Sequence, residues 1–117
     1  MTLHDIKIDA TLEAYLECMM WTNEELDGYC FTDLSKELII RAQKDVTDFE
    51  TEIYDKGLDT GLDSSQIGHD FLLTRNGHGA GFWDRDLGEQ GDKLSDICST
   101  YSEVSTYIGD DKLIYTF

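Results

Sequence analysis

No proline occurs in the 117 residues, so the loops must be shaped by glycine and by Asx side chains, which tolerate left-handed backbone or bond to their own turns. Basic residues are scarce: nine Lys+Arg stand against 25 Asp+Glu, a formal net charge of −16. A chain so charged is repelled by nucleic-acid phosphates and by anionic membrane surfaces, which argues against direct binding of either. Cysteine is sparse as well. Cys18, Cys30 and Cys98 are odd in number, far apart and without CxxC or histidine spacing. No zinc site is therefore expected. The other candidate metal ligands, His69, Asp70, His78 and Asp84, read as chance neighbours at hairpin ends, and the thiols read as reduced, mostly core groups of a cytoplasmic protein. No apolar run approaches the ~18 residues of a membrane helix, and no basic-then-apolar leader opens the sequence. An HExxH pair, a Walker loop and a dinucleotide fingerprint are also missing, so no cofactor is expected.

What is present suits one globular domain, residues 1–117, with 40% hydrophobic and 11% aromatic content. Behind a candidate cap at Asp9, Leu12, Tyr15, Leu16, Met19 and Met20 recur at helical spacing. A long second helix is predicted from a cap at Thr32 or Asp33 to the stop at Gly57, through Leu34, Leu38, Ile39, Ala42, Val46, Phe49, Ile53 and Tyr54. On its polar side Asp45, Asp48, Glu52 and Asp55 step by three, four and three, so they line one stripe. Acids in the last turns oppose the helix dipole, which a sequence chosen for stability alone would avoid. A third helix is expected over Leu94, Ile97, Cys98 and Tyr101. A hairpin should follow from Thr106–Ile108 through Gly109-Asp110-Asp111 to Leu113–Tyr115.

The stretch His69 to Arg85, HDFLLTRNGHGAGFWDR, concentrates aromatic, glycine and cationic residues. Asn76-Gly77 between two short apolar runs is a strong hairpin signal, because both central residues of a type I′ turn need positive φ. With a two-residue loop, Arg75 faces His78 and His69 faces Asp84 on one side, while Asp70 faces Trp83 on the other. A four-residue loop would set Asp70 opposite Arg85. The expected architecture is α+β: a small antiparallel sheet of two hairpins and three helices in the order ααββαββ, with the long second helix packed on the sheet.

The run GHDFLLTRNGHGAGFWDRDLGEQGDKLSDIC, from Gly68 to Cys98, resembles a signature of small proteins of tailed bacteriophages that have no assigned function. The resemblance implies a phage origin and an intracellular site in the infected bacterium. It implies no activity and no catalytic residues.

These features point first to a non-enzymatic phage accessory protein that binds and inhibits or modulates a host nucleic-acid-binding protein. Its stripe Asp45, Asp48, Glu52 and Asp55 would imitate the phosphates of DNA, since helical turns repeat every ~5 Å and phosphate steps are of several ångströms. The same charge also serves solubility. A second reading, from another class, is a small hydrolase or ligand-binding domain built on the hairpin. There His69 would be a general base oriented by Asp84, with Asp70, Asn76 and Trp83 beside it and Arg75, His78 and Arg85 offering anion binding. Against it, Arg75, Asp84 and Arg85 equally fit salt-bridging groups that tie the hairpin to an acidic body. A third reading pairs hairpin edge strands between two copies in a homodimer.

Overall fold

The computed structural model describes residues 8–58, 61–77 and 88–116. They form four helices and one two-stranded antiparallel hairpin. Helix α1, Ala10–Trp21, starts at Asp9, whose side chain accepts from the Leu12 N–H at 2.9 Å. Its apolar spacing is used as read: Leu12, Tyr15, Leu16 and Met19 are buried. Two short 3₁₀ turns, Glu24–Leu26 and Phe31–Asp33, lead to helix α2, Lys36–Asp55.

The cap of α2 is Ser35, not Thr32 or Asp33. The Asp33 carboxylate turns back to the Cys30 N–H at 2.7 Å, closing the 3₁₀ turn. Leu34 then runs extended beside Ile114, and the Ser35 hydroxyl accepts from the Leu38 N–H at 3.1 Å. At the far end Gly57, at φ +65°, closes a Schellman motif: Gly57 N–H bonds to Tyr54 O and Leu58 N–H to Ile53 O.

The principal correction concerns residues 64–75. Residues 69–75 are not the first strand of a hairpin; together with residues 64–68 before them they form helix α3, Ser64–Arg75, capped by Asp63, which accepts from the Gln66 N–H at 2.8 Å. Asn76 is its C-cap. Gly77, at φ +73°, bonds back to Thr74 O as Gly57 does to Tyr54 O. Asn-Gly supplies the positive φ of a helix end as readily as that of a hairpin turn. The partner strand expected beyond Gly77, with His78, Trp83, Asp84 and Arg85, lies outside the described residues.

The strand-like pattern of α3 has a physical cause, because this helix is enclosed. Gly68, Asp70, Phe71, Leu72 and Leu73 are all buried, and a helix covered on several sides shows no single apolar stripe. Against α1 the approach is so close that a Cβ on Gly68 would lie 2.0 Å from the Thr11 carbonyl oxygen.

Helix α4, Glu89–Cys98, buries Leu94, Ile97 and Cys98. Strands β1, Thr106–Ile108, and β2, Ile114–Thr116, form the hairpin, with Tyr107 opposite Tyr115. Instead of a sheet that carries α2, the hairpin is a small appendage. Ile114 is fully buried, and its carbonyl accepts from the Ser35 N–H at 2.9 Å. The molecule is thus mostly helical rather than an interleaved α+β sheet. Among the described residues no helix is long and apolar enough to cross a membrane.

At the centre, rings from three helices and the segment after α4 meet. Phe49 and Phe71 stack at 4.1 Å with planes 3° apart. Tyr15 stacks on Phe71 at 5.4 Å, and Tyr101 meets Phe71 edge-on at 5.0 Å.

Candidate functional site

The acidic stripe of α2 is not four equivalent carboxylates. Asp45 is half-buried and accepts from Arg75 Nη1 at 2.8 Å, an ion pair between α2 and α3. Asp48 receives Lys44 at 2.8 Å one turn away, with side chains 51% and 74% exposed. Glu52 lies 3.5 Å from Lys56. Asp55 is exposed, without an ion pair among the described residues. The Lys44 pKa is raised, first by its hydrogen bond to Asp48. Solvated i, i+4 pairs of this sort contribute little, so Asp48 and Glu52 stay available to a more strongly basic surface. Asp45 does not, because its partner is held inside.

Arg75 is held from every side. Nε and Nη2 donate to the Ser102 carbonyl at 3.0 and 2.7 Å, and Nη1 donates to both Tyr15 Oη at 3.0 Å and Asp45. Its guanidinium also lies over Phe71 and Tyr101, at 5.6 and 5.4 Å from the ring centroids. The side chain is 6% exposed. Arg75, assigned from sequence to anion binding, therefore neutralises an acid of the other candidate set. Next to it Asn76 reads the backbone of Val104 in both directions, accepting from its N–H at 2.8 Å and donating to its carbonyl at 3.3 Å. Both are fold-holding contacts.

His69 is half-buried beside a cleft of about 690 Å³ between α1 and the start of α3, lined by Ala14, Glu17, Cys18, Trp21, Gln66 and His69 among others. Its ring lies 6.4 Å from the Trp21 ring, and Nδ1 is 3.5 Å from the adjacent Asp70 carboxylate. Asp70 is wholly buried and also receives Gln66 Nε2 at 3.1 Å. The expected pairings of His69 with Asp84 and of Arg75 with His78 required a strand at 69–75, which is helical. Nucleophilic chemistry gains nothing from the thiols nearby. Burial pushes Cys18 up to about 12, with Asp70 adding to the rise, and burial raises Cys98 to about 12 as well. A protonated thiol is a poor nucleophile. Among the described residues no three His, Cys, Asp or Glu converge as metal ligands.

Sequence reasoning passed over Trp21, which is 78% exposed. It forms a ridge between the first cleft and a second groove of about 740 Å³, floored by Met20, Leu26, Tyr29 and Phe31 and rimmed by Glu17, Glu24 and Asp27. The signal was there. Trp21 follows the buried series Leu12, Tyr15, Leu16 and Met19 out of phase, so an indole was placed on the solvent side of α1. Comparison with protein-family models, with curated proteins and with solved structures gives no match.

Proposed function

We propose that this protein is a non-enzymatic, acidic accessory protein that acts in the cytoplasm of an infected bacterium, where it binds the basic face of a host nucleic-acid-acting protein. By occupying that face it would inhibit or modulate the host factor, in the manner of a DNA mimic. The observation that carries the reading is the net charge of −16 together with where the acids stand. Asp48, Glu52 and Asp55 lie on one side of a 20-residue helix, at steps of four and three residues. Those steps correspond to ~6 and ~4.5 Å along the axis, of the order of backbone phosphate separations. Asp45 drops out of the binding set because Arg75 holds it.

The test is capture of proteins from bacterial lysate by the wild-type chain and by the triple variant Asp48→Asn, Glu52→Gln, Asp55→Asn. The expected outcome is a DNA-binding protein retained at low salt, released by added DNA and by high salt, and depleted on the variant. Retention by the variant in high salt would remove electrostatic mimicry as the mechanism.

A further inference from the structure

We infer that the groove beside Trp21 is a docking site for an arginine-bearing segment of a partner protein, separate from the acidic face of α2. Three observations converge there. Trp21 is 78% exposed at the end of α1, an indole whose face is open to a flat cation. The groove it borders has a volume of about 740 Å³ and a half-buried apolar floor that includes Met20 and Phe31. That size suits a side chain or two of a peptide. Its rim carries Glu17, Glu24 and Asp27, all exposed, and none forms a salt bridge among the described residues.

Charge selects the occupant. A second copy of the chain would bring −16 against −16, and a nucleic acid or an anionic membrane would meet the same repulsion. A guanidinium suits both the indole and the acidic rim. Its flat face stacks on an indole, and its edge presents paired N–H donors to carboxylates. Lysine, a compact and strongly hydrated charge, uses the indole and the paired acceptors less well. The apolar floor then takes an aliphatic side chain flanking the arginine. Aromatic anchors ringed by polar groups are the usual energetic centres of protein interfaces.

The probe is a short, end-capped peptide with one arginine between two leucines, titrated into the full chain by calorimetry and by two-dimensional NMR. Counterpart peptides carry lysine or glutamate in place of the arginine. Arginine peptide should bind several-fold more tightly than lysine peptide, and glutamate peptide should not bind. Shifts should centre on the Trp21 indole N–H, Met20 and Phe31. Trp21→Ala, an exposed change whose fold is checked by circular dichroism, should weaken binding about tenfold or more. Glu24→Gln with Asp27→Asn should weaken binding and flatten its salt dependence, whereas the triple variant of α2 should bind as wild type. Three results overturn the proposal: equal affinity of the Trp21→Ala chain, equal affinity of arginine and lysine peptides, or a Trp21-dependent dimer in sedimentation.

Discussion

Arg75 joins four parts of the molecule: Tyr15 of α1, Asp45 of α2, Phe71 of its own helix and Ser102 beyond α4. The connection depends on a planar fork that lysine cannot reproduce. Arg75→Lys should therefore lower the unfolding free energy by about 2–3 kcal/mol despite keeping the charge. Urea unfolding of Arg75→Met, Asp45→Asn and the double variant should show a coupling of about 1–2 kcal/mol; strictly additive losses would mean that the ion pair contributes nothing. Gly68 is the second residue on which the assembly turns. Alanine there would gain ~1 kcal/mol of helix propensity, but its methyl would meet the Thr11 carbonyl oxygen at 2.0 Å and the Tyr15 nitrogen at 3.1 Å. Both are helix backbone and cannot rotate aside, so the net change should be destabilising by at least ~1–3 kcal/mol. A midpoint equal to wild type would show that the two helices can separate freely at this point.

At the scale of elements, capping chemistry can be tested where periodicity misled. Asp63→Ala should cost about 1 kcal/mol in urea unfolding, because Asp63 satisfies the first turn of α3. An Asp63 lying in an open loop before a strand would give almost no change. Helices α1 and α2 were legible because each buries one face and leaves the other wet, so their apolar residues keep a 3.6 spacing. The hairpin after Ser105 was legible from its turn residues. Helix α3 was not. Phe71, Leu72 and Leu73 are consecutive and all buried, and a short apolar run of that kind fits a strand or an enclosed helix equally well. Asn76-Gly77 fits a hairpin turn as well as a helix end, whereas Gly57, behind a long 3.6-residue period, fits only a helix stop. The candidate site divided in the same way. Spacing alone puts Asp45, Asp48, Glu52 and Asp55 on one stripe. That Arg75, thirty residues away in the chain, closes on Asp45 is a tertiary fact that no local pattern encodes.

For the whole molecule, salt should act with opposite signs on folding and on binding. Screening relieves the self-repulsion of a chain at −16, so the thermal midpoint should rise between low and physiological salt. Association with a basic partner should weaken over the same range. A midpoint that falls with salt would mean that ion pairs, not repulsion, dominate the balance. Alkali should also unfold the chain cooperatively. Burial pushes Cys18 and Cys98 from 9.0, and Tyr15 and Tyr101 from 10.0, up to about 12. The unfolded chain therefore loses these protons first. The stability linked to them is complete below pH 9.0 and is lost as pH rises toward 12, which pH-dependent urea midpoints would reveal; a flat profile across that window would mean that these groups titrate alike in both states. The ring assembly of Tyr15, Phe49, Phe71 and Tyr101 gives this cooperativity an optical and magnetic signature. Because the parallel Phe49–Phe71 pair and its edge-on and stacked neighbours come from separate segments, ring-current-shifted proton resonances and near-ultraviolet dichroism from this cluster arise only when all of them are docked. Loss of any one helix should erase those signals together, so a single spectrum distinguishes a wholly assembled molecule from one that merely keeps its helices.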